Sequence, residues 1–286
     1  MKPPAEQRAL WIDGRFVDPS LPHVSPFDVA WRSGHGAFES FSLRRDPEGV
    51  HALFDAHLTR LRAAAVALGL GSWPSFDLSS ICEGLLDRAS LDVARARVSL
   101  HREGARPRLV ISVEEGEDLV ARRARGVRLA TSPLRFGRDD PTPGYKCEGR
   151  VLYELARADA VERGADEALL VDESGAALET TRASIFIVDT PRSIATPPLR
   201  GRSLPGVARN ALLQAAPRGG IEVAERELGL ATLLRAPLVF LSNAVVGIEP
   251  VRSIDGSLLP NVDHSLEARK VLDQCLQLLR RSGMGC

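Results

Sequence analysis

Residues 131–144 hold three prolines and two glycines in fourteen positions, a density that breaks both helices and central strands. The stretch therefore divides the 286 residues into two parts of ordinary domain size. The expected organisation is a small N-terminal domain over residues 1–130, a linker over 131–143 and a larger domain over 144–286.

Apolar spacing fills in both parts. Before the linker, apolar runs on either side of Asp13-Gly14 predict a hairpin, and residues 37–43 read as a strand. A Pro47-Glu48-Gly49 turn then leads to His51. Leu58, Leu61, Ala65 and Leu68 recur at helical spacing, so a helix is expected over 55–68, ended by Gly69. A second helix follows at 78–89, then strands at 95–100 and 108–113. Beyond the linker, a helix over 151–163 is expected to present Val151, Leu152, Leu155 and Ala156 on one face and to end at Gly164. Strands follow at 167–172, 177–179 and 184–189, a helix at 207–215, strands at 238–241 and 248–254, and a last helix at 265–279. Strands gathered in local meanders favour an α+β class over a doubly wound parallel sheet. No G-x-G-x-x-G follows a strand, so a dinucleotide-binding fold has no support.

Several function classes lose support. Thirty-seven basic residues balance 37 acidic ones and no basic run stands out, which argues against nucleic acid. Apolar stretches fall far short of the ~20 residues of a membrane span, and the first residues lack the apolar core of a signal peptide. Cys82, Cys147, Cys275 and Cys286 are widely spaced, as expected of unpaired thiols in a reducing cytoplasm. The six histidines show no ligand spacing, and no metal site is expected.

Chemistry is suggested by scarcity. The only lysines are Lys2, Lys146 and Lys270 among 37 basic residues. Lysine forms Schiff bases and gives up its proton; arginine does neither. Lys146 directly follows the Pro/Gly-rich stretch. Leu204-Pro205-Gly206 opens a helix, whose first backbone N–H groups form an anion cup. Ser242-Asn243-Ala244 ends an apolar strand, Glu179 ends another, and Arg60 lies on the helix expected at 55–68. Alone, each is ordinary: a surface lysine, a helix start, a turn, a solvated strand end, a surface arginine.

Their order along the chain is less ordinary. Ser33-Gly34-His35-Gly36-Ala37-Phe38-Glu39, His57-Leu58-Thr59-Arg60-Leu61, Gly144-Tyr145-Lys146, the segment 165–172 leading to Glu179, Ser184-Ile185-Phe186, Leu204-Pro205-Gly206-Val207-Ala208-Arg209 and Leu241-Ser242-Asn243-Ala244 together resemble the class IV (fold type IV) pyridoxal-phosphate enzymes, the branched-chain aminotransferase-like family. The resemblance runs from about residue 11 to 255. It implies a two-domain D-amino acid aminotransferase-like fold, with a small N-terminal α/β domain and a larger β-rich C-terminal one. It also implies pyridoxal 5′-phosphate (PLP) bound to Lys146 as a Schiff base. Arg60, Gly206, Val207, Ala208, Asn243 and Ala244 would hold the phosphate, Glu179 the pyridine nitrogen, and Ser184 would lie against the cofactor. His35, Arg150 and Arg182 would face the substrate, and the family implies a cytoplasmic homodimer with residues 33–43 partly closing the partner's site.

Within the family, residues 132–138, Arg150 and residues 242–251 are similar to 4-amino-4-deoxychorismate lyase, which makes 4-aminobenzoate and pyruvate for folate biosynthesis. The first expectation is therefore that lyase; the alternative is an aminotransferase of a D-amino acid, a branched-chain amino acid or an amine. A non-catalytic PLP-binding protein is disfavoured by intact Lys146 and Glu179. His35, Ser42 and Ser184 stand where family members often carry Asp, Arg and Asn, differences that bear on the substrate more than on the cofactor.

Overall fold

The computed structural model describes residues 7–21, 25–45, 54–103, 106–135, 142–260 and 266–282. The expected turn at 47–49, His51 and residues 136–141 of the expected linker, which include Phe136-Gly137-Arg138 of the lyase-like segment, lie outside them. The chain forms two compact units.

The first unit runs to Glu117 and also takes in the later segment Tyr145–Arg150. Its strands are β1 (Arg8–Ile12), β2 (Arg15–Val17), β3 (Gly36–Arg44), β4 (Val93–Glu103) and β5 (Arg106–Glu115), paired antiparallel in the order β2-β1-β5-β4-β3. Asp13 and Gly14 both take positive φ, the conformation a tight right-twisted hairpin turn requires, and the expected hairpin forms there. Helices α1 (Val29–Ser33), α2 (Phe54–Ala67) and α3 (Leu78–Ala89) accompany the sheet. Asp77 caps α3 by accepting from the Ser80 N–H. The period-2 pattern of β4 sends Ala94, Ala96, Val98 and Leu100 into the core, leaving Arg95 and Arg97 on the other face. Leu43, Leu61, Leu85 and Ile111 are fully buried, each worth about 1.5–3 kcal/mol of apolar burial.

The second unit comprises Asp118–Gly144 and Val151–Ser282. In chain order it contains α4 (Leu119–Arg125), β6 (Val127–Arg135), a 3-10 turn (Thr142–Gly144), α5 (Val151–Glu162), β7 (Glu167–Val171), β8 (Ala177–Thr180), β9 (Ser184–Thr190), β10 (Ser193–Thr196), α6 (Val207–Arg218), β11 (Glu222–Glu225), α7 (Leu230–Arg235), β12 (Leu238–Asn243), β13 (Gly247–Ile254), β14 (Ser257–Leu258) and α8 (Leu266–Arg281). The sheet order is β11-β10-β9-β12-β13-β6-β7-β8, with β14 on β13. It is buried on both faces. Leu129, Leu169, Ile185, Ile187, Val239 and Leu241 fill one side, while Ala168, Leu170 and Leu178 pack with Tyr153, Ala156 and Ala160 of α5 on the other.

Two expectations are corrected here. The boundary is not a linker at 131–143: α4 and β6 already belong to the second unit, and Tyr145–Arg150 returns to the first. Strand β6 pairs parallel with both β13 and β7, and its register shifts between Thr131 and Arg135. That irregularity accommodates Pro133, which has no N–H to give to a ladder. Asp118, whose side chain accepts from the Val120 and Ala121 N–H groups, starts the short helix that the apolar spacing did not reveal. In α5 the buried face is Tyr153, Ala156 and Ala160, while Val151, Leu152 and Leu155 are exposed.

Candidate active site

Lys146 is clipped to an edge. β3 is the last strand of its sheet, and the Lys146 segment pairs along its open side: the Phe38 N–H donates to the Lys146 carbonyl at 2.8 Å and the Glu148 N–H to the Gly36 carbonyl at 2.9 Å. The glycines of the Ser33–Gly36 motif make that approach possible. A Cβ on Gly34 would meet the Gly149 Cα at 3.0 Å, and Gly34 also has φ +65°. A Cβ on Gly36 would meet His101 Cδ2 at 2.6 Å. The half-buried Lys146 places its Nζ 4.7 Å from the Phe38 ring centroid, and the Arg97 guanidinium lies 3.5 Å from the same centroid.

Arg97 is held in turn. It donates to Glu148, which also accepts from His101 Nε2 at 3.1 Å. Burial pushes the Glu148 carboxyl up, but the His101 bond and the Arg97 charge outweigh it and hold the group below the usual carboxylate range. Burial lowers the pKa of Arg97, and the nearby Arg150 acts in the same direction. Arg150, expected to face the substrate, lies close enough to Arg97 to act on its charge. His35 does not stand open: its Nε2–H donates to the Leu68 carbonyl at 2.8 Å, just past the end of α2.

Arg60 belongs to a third network. Its Nε and Nη2 donate to the two oxygens of Glu39, both at 2.7 Å, and His57 Nδ1 donates to Glu39 at 2.6 Å. The Glu39 side chain is 1% exposed. Burial would raise its pKa, yet the bonds from His57 and Arg60 bring it down to about 2. Burial keeps His57 below its ordinary pKa, so its ring is neutral near pH 7 and serves as a donor. Glu39 and His57 lay within recognised motifs without a role; a charged residue in the apolar alternation of β3 was the signal available.

The second unit assembles the other residues. Glu179, buried at the end of β8, accepts from the Leu204 N–H at 3.3 Å. Gly206 is the N-cap of α6 and offers no side chain to its N–H groups, leaving those of Val207 and Ala208 at the helix start. A Cβ on Gly206 would lie 3.0 Å from Ser184 Oγ. Ser184 on β9 is the cross-strand partner of Ser242 on β12, and Asn243 and Ala244 follow. Asn243 Oδ1 accepts from the Val245 and Val246 N–H groups, at 2.9 and 2.8 Å, so this oxygen shapes its own turn. The turn is braced from α4: Arg123 donates to the Val246 and Ile248 carbonyls, and Arg122 to the buried Glu249. Arg182, expected near substrate, is exposed on the turn between β8 and β9.

A family model described as amino-transferase class IV matches residues 36–254. A putative branched-chain-amino-acid aminotransferase of Methanocaldococcus jannaschii is 30% identical over 272 residues, covering 88% of this chain and 90% of the relative. Among solved structures, the branched-chain aminotransferase of Thermoproteus uzoniensis with norvaline superposes with TM-score 0.82 at 24% identity, covering 96% of this chain and 95% of that one. The PLP-bound form of a hypothetical aminotransferase from Mycobacterium tuberculosis gives 0.81 at 22%, covering 96% and 98%.

The chain belongs to amino-transferase class IV. The Mycobacterium tuberculosis neighbour holds pyridoxal 5′-phosphate. The residues present fit that group. A half-buried lysine is available for covalent attachment, Gly206 leaves a cradle that a Cβ would narrow, and a helix start presents backbone donors suited to a phosphate. Among the described residues no helix is long and apolar enough to cross a membrane.

Proposed function

We propose that the protein is an aminotransferase that moves an amino group between an amino acid and a 2-oxo acid, with a branched-chain amino acid as the leading candidate substrate. The observation that carries the reading is the identity with the Methanocaldococcus jannaschii relative over nearly its full length, together with a lysine seated on the β3 edge. The bound cofactor supplies an electron sink for the bonds at the substrate's amine-bearing carbon.

The chain's residues divide the remaining work. Lys146 Nζ would carry the cofactor and, when freed by the substrate amine, would act as the base that removes the proton from the substrate's α-carbon and as the acid that delivers it to a different carbon. It must be neutral to do so, and the Arg97 cation sharing the Phe38 ring disfavours a second positive charge there. Glu179 keeps a proton on the pyridine nitrogen. The N–H groups of Val207 and Ala208 would hold the phosphate, a role for which the resemblance also names Arg60. Arg97 and Arg150 are the cations suited to a substrate carboxylate; Arg97 takes the place that sequence alone gave to Arg182. The same reading includes a homodimer, for which the exposed Phe27, Trp31, Val151 and Leu152 offer apolar surface.

Aminodeoxychorismate lyase becomes the second reading, supported by the likeness of Arg150 and residues 242–251. The test separates the two. Purified holoenzyme receives leucine, isoleucine or valine with 2-oxoglutarate, and separately aminodeoxychorismate with no oxo acid. Glutamate formation in the first arm alone supports the aminotransferase. Catalytic release of pyruvate and 4-aminobenzoate in the second arm overturns it in favour of the lyase. A single species of monomer mass on a sizing column, fully active, would remove the dimer.

A further inference from the structure

The peptide that carries Lys146 also carries Glu148, and both side chains fall on one face of the first unit's sheet. Cys147 stands opposite Ala37 in an antiparallel bridge, so Lys146 lies across from Phe38 and Glu148 across from Gly36. On the other side of β3, Phe38 is paired with Ser99, Ser40 with Arg97 and Gly36 with His101. Paired positions share a face. Lys146, Glu148, Phe38, Arg97 and His101 therefore stand together, opposite the buried face of Ala37, Ala96, Val98 and Leu100.

Gly36 is the window in this face. Glu148 and His101 lie on either side of β3, yet Glu148 Oε1 accepts from His101 Nε2 at 3.1 Å across the glycine. A Cβ on Gly36 would lie 2.6 Å from His101 Cδ2 and 3.0 Å from Glu148 Cγ, so any other residue would part them. The second carboxylate oxygen, Oε2, accepts from Arg97 Nη2 at 2.5 Å, and Arg97 Nε donates to Ser99 Oγ at 3.1 Å. Two points thus fix one side of the guanidinium, 3.5 Å from the centroid of the Phe38 ring. Its Nη1 has no hydrogen-bond partner among the described residues. A guanidinium is a rigid planar fork, so fixing one side aims the other. An arginine held in advance also spares the rotamer freedom that a ligand would otherwise have to remove.

We propose that Glu148 is a positioning residue of the reaction: braced by His101, it holds Arg97 beside Phe38 and Lys146, ready to receive a carboxylate of the substrate. The role rests on the aminotransferase reading and adds a residue to it, since the resemblance names Lys146 and Arg150 on this peptide but not Glu148. One short peptide then supplies both the reactive amine and the brace for the anion-binding arginine. Because both ride on the same clip along β3, the amine and the guanidinium keep a set spacing.

The test uses holoenzyme with leucine as amino donor and 2-oxoglutarate as acceptor. It compares wild type, Glu148→Ala, Glu148→Gln, Arg97→Ala and the double variant Glu148→Ala/Arg97→Ala, with PLP titrations of each apoprotein beside the kinetics. Glu148→Ala is expected to raise the KM for 2-oxoglutarate about tenfold, with a much smaller change in kcat. Arg97→Ala should raise it at least as far, and the double variant should match Arg97→Ala alone, because Glu148 acts through Arg97. Glu148→Gln, which keeps an acceptor for Arg97, should recover part of the loss. PLP affinity should stay near the wild-type value throughout. If Glu148→Ala does not fold, Glu148→Asp, whose carboxylate is withdrawn by one methylene, takes its place with the same expectation. The proposal is overturned if the two single effects multiply in the double variant, if KM does not move, or if PLP binding weakens along with it. A wild type that forms no glutamate overturns the aminotransferase reading itself, a failure seen before any variant is made and so distinct from that of Glu148.

Discussion

Around Lys146 and Arg60 the N-terminal unit uses long charged side chains that fix one another: Arg97 with Glu148 and His101, Arg60 with Glu39 and His57. Around Gly206 the C-terminal unit uses a helix start, two strand ends and short side chains: Ser184, Ser242 and Ala244. The first set derives its properties from charge and so answers to pH and to charge-removing substitutions. The second derives them from main-chain direction and answers to bulk. The proposed function would need both: a lysine amine from one, and an anion cup that works without a charged side chain of its own from the other.

The largest expected effect falls on the charged set. Lys146→Ala should reduce turnover by roughly 10²- to 10⁴-fold and abolish the visible absorption band of the cofactor-bound protein, while leaving the apo melting temperature nearly unchanged. A smaller loss at Lys146 than at any residue of the cup would break the comparison.

Next comes Glu39→Gln. It strands the Arg60 cation, 14% exposed, without its carboxylate partner, and removing one member of a buried pair costs about 3–5 kcal/mol. Chemical denaturation at pH 7 measures it. The pH dependence sharpens the point. Glu39 titrates near 2 when folded, against an ordinary 4.5. Its contribution is present above pH 4.5 and is lost as the pH falls toward 2. His57 is likewise lowered from 6.5, so stability begins to decline as the pH drops below that value. The wild type should lose stability steadily over this window, and Glu39→Gln should flatten its acidic end.

Bulk tests the other set. Gly206→Val should crowd Ser184 and weaken PLP binding by about tenfold to a hundredfold, read by titration of the apoprotein, with little change in its pH dependence. The smallest effect is expected from Arg123→Ala, which removes two donors to the Val246 and Ile248 carbonyls. Cofactor affinity should fall by only about five- to tenfold. A strong pH dependence appearing in either variant would show that the cup, too, depends on charge.

Much of this was legible in the sequence for local reasons. The Asp13-Gly14 turn, the helical spacing of Leu58, Leu61 and Ala65, and the scarcity of lysine are all short-range signals. So is the Leu204-Pro205-Gly206 helix start. What escaped depends on pairing between distant residues. Arg95 and Arg97 look alike as alternate charges on a strand, and only the return of Glu148 to β3 distinguishes Arg97. His35 looked available until the Leu68 carbonyl met it. Pro133 looked like a linker residue because the register shift that admits it is a property of β6 beside its neighbours. Val151, Leu152 and Leu155 looked like core because periodicity records a face without saying what covers it.

The route of the chain through Tyr145–Arg150 has a consequence for synthesis. The ribosome completes every strand of the first sheet by Glu115, but the peptide that covers the open side of β3 comes only after α4 and β6 of the other unit have been made. For the few seconds needed to add those residues, at roughly 5–20 per second, the nascent chain carries a sheet with one bare row of N–H and C=O groups. Bare edges recruit strands from other chains. The same peptide that delivers the reactive amine is therefore also the latch that ends this vulnerable interval, and a fragment stopping at Glu117 should self-associate where one extending through Arg150 does not.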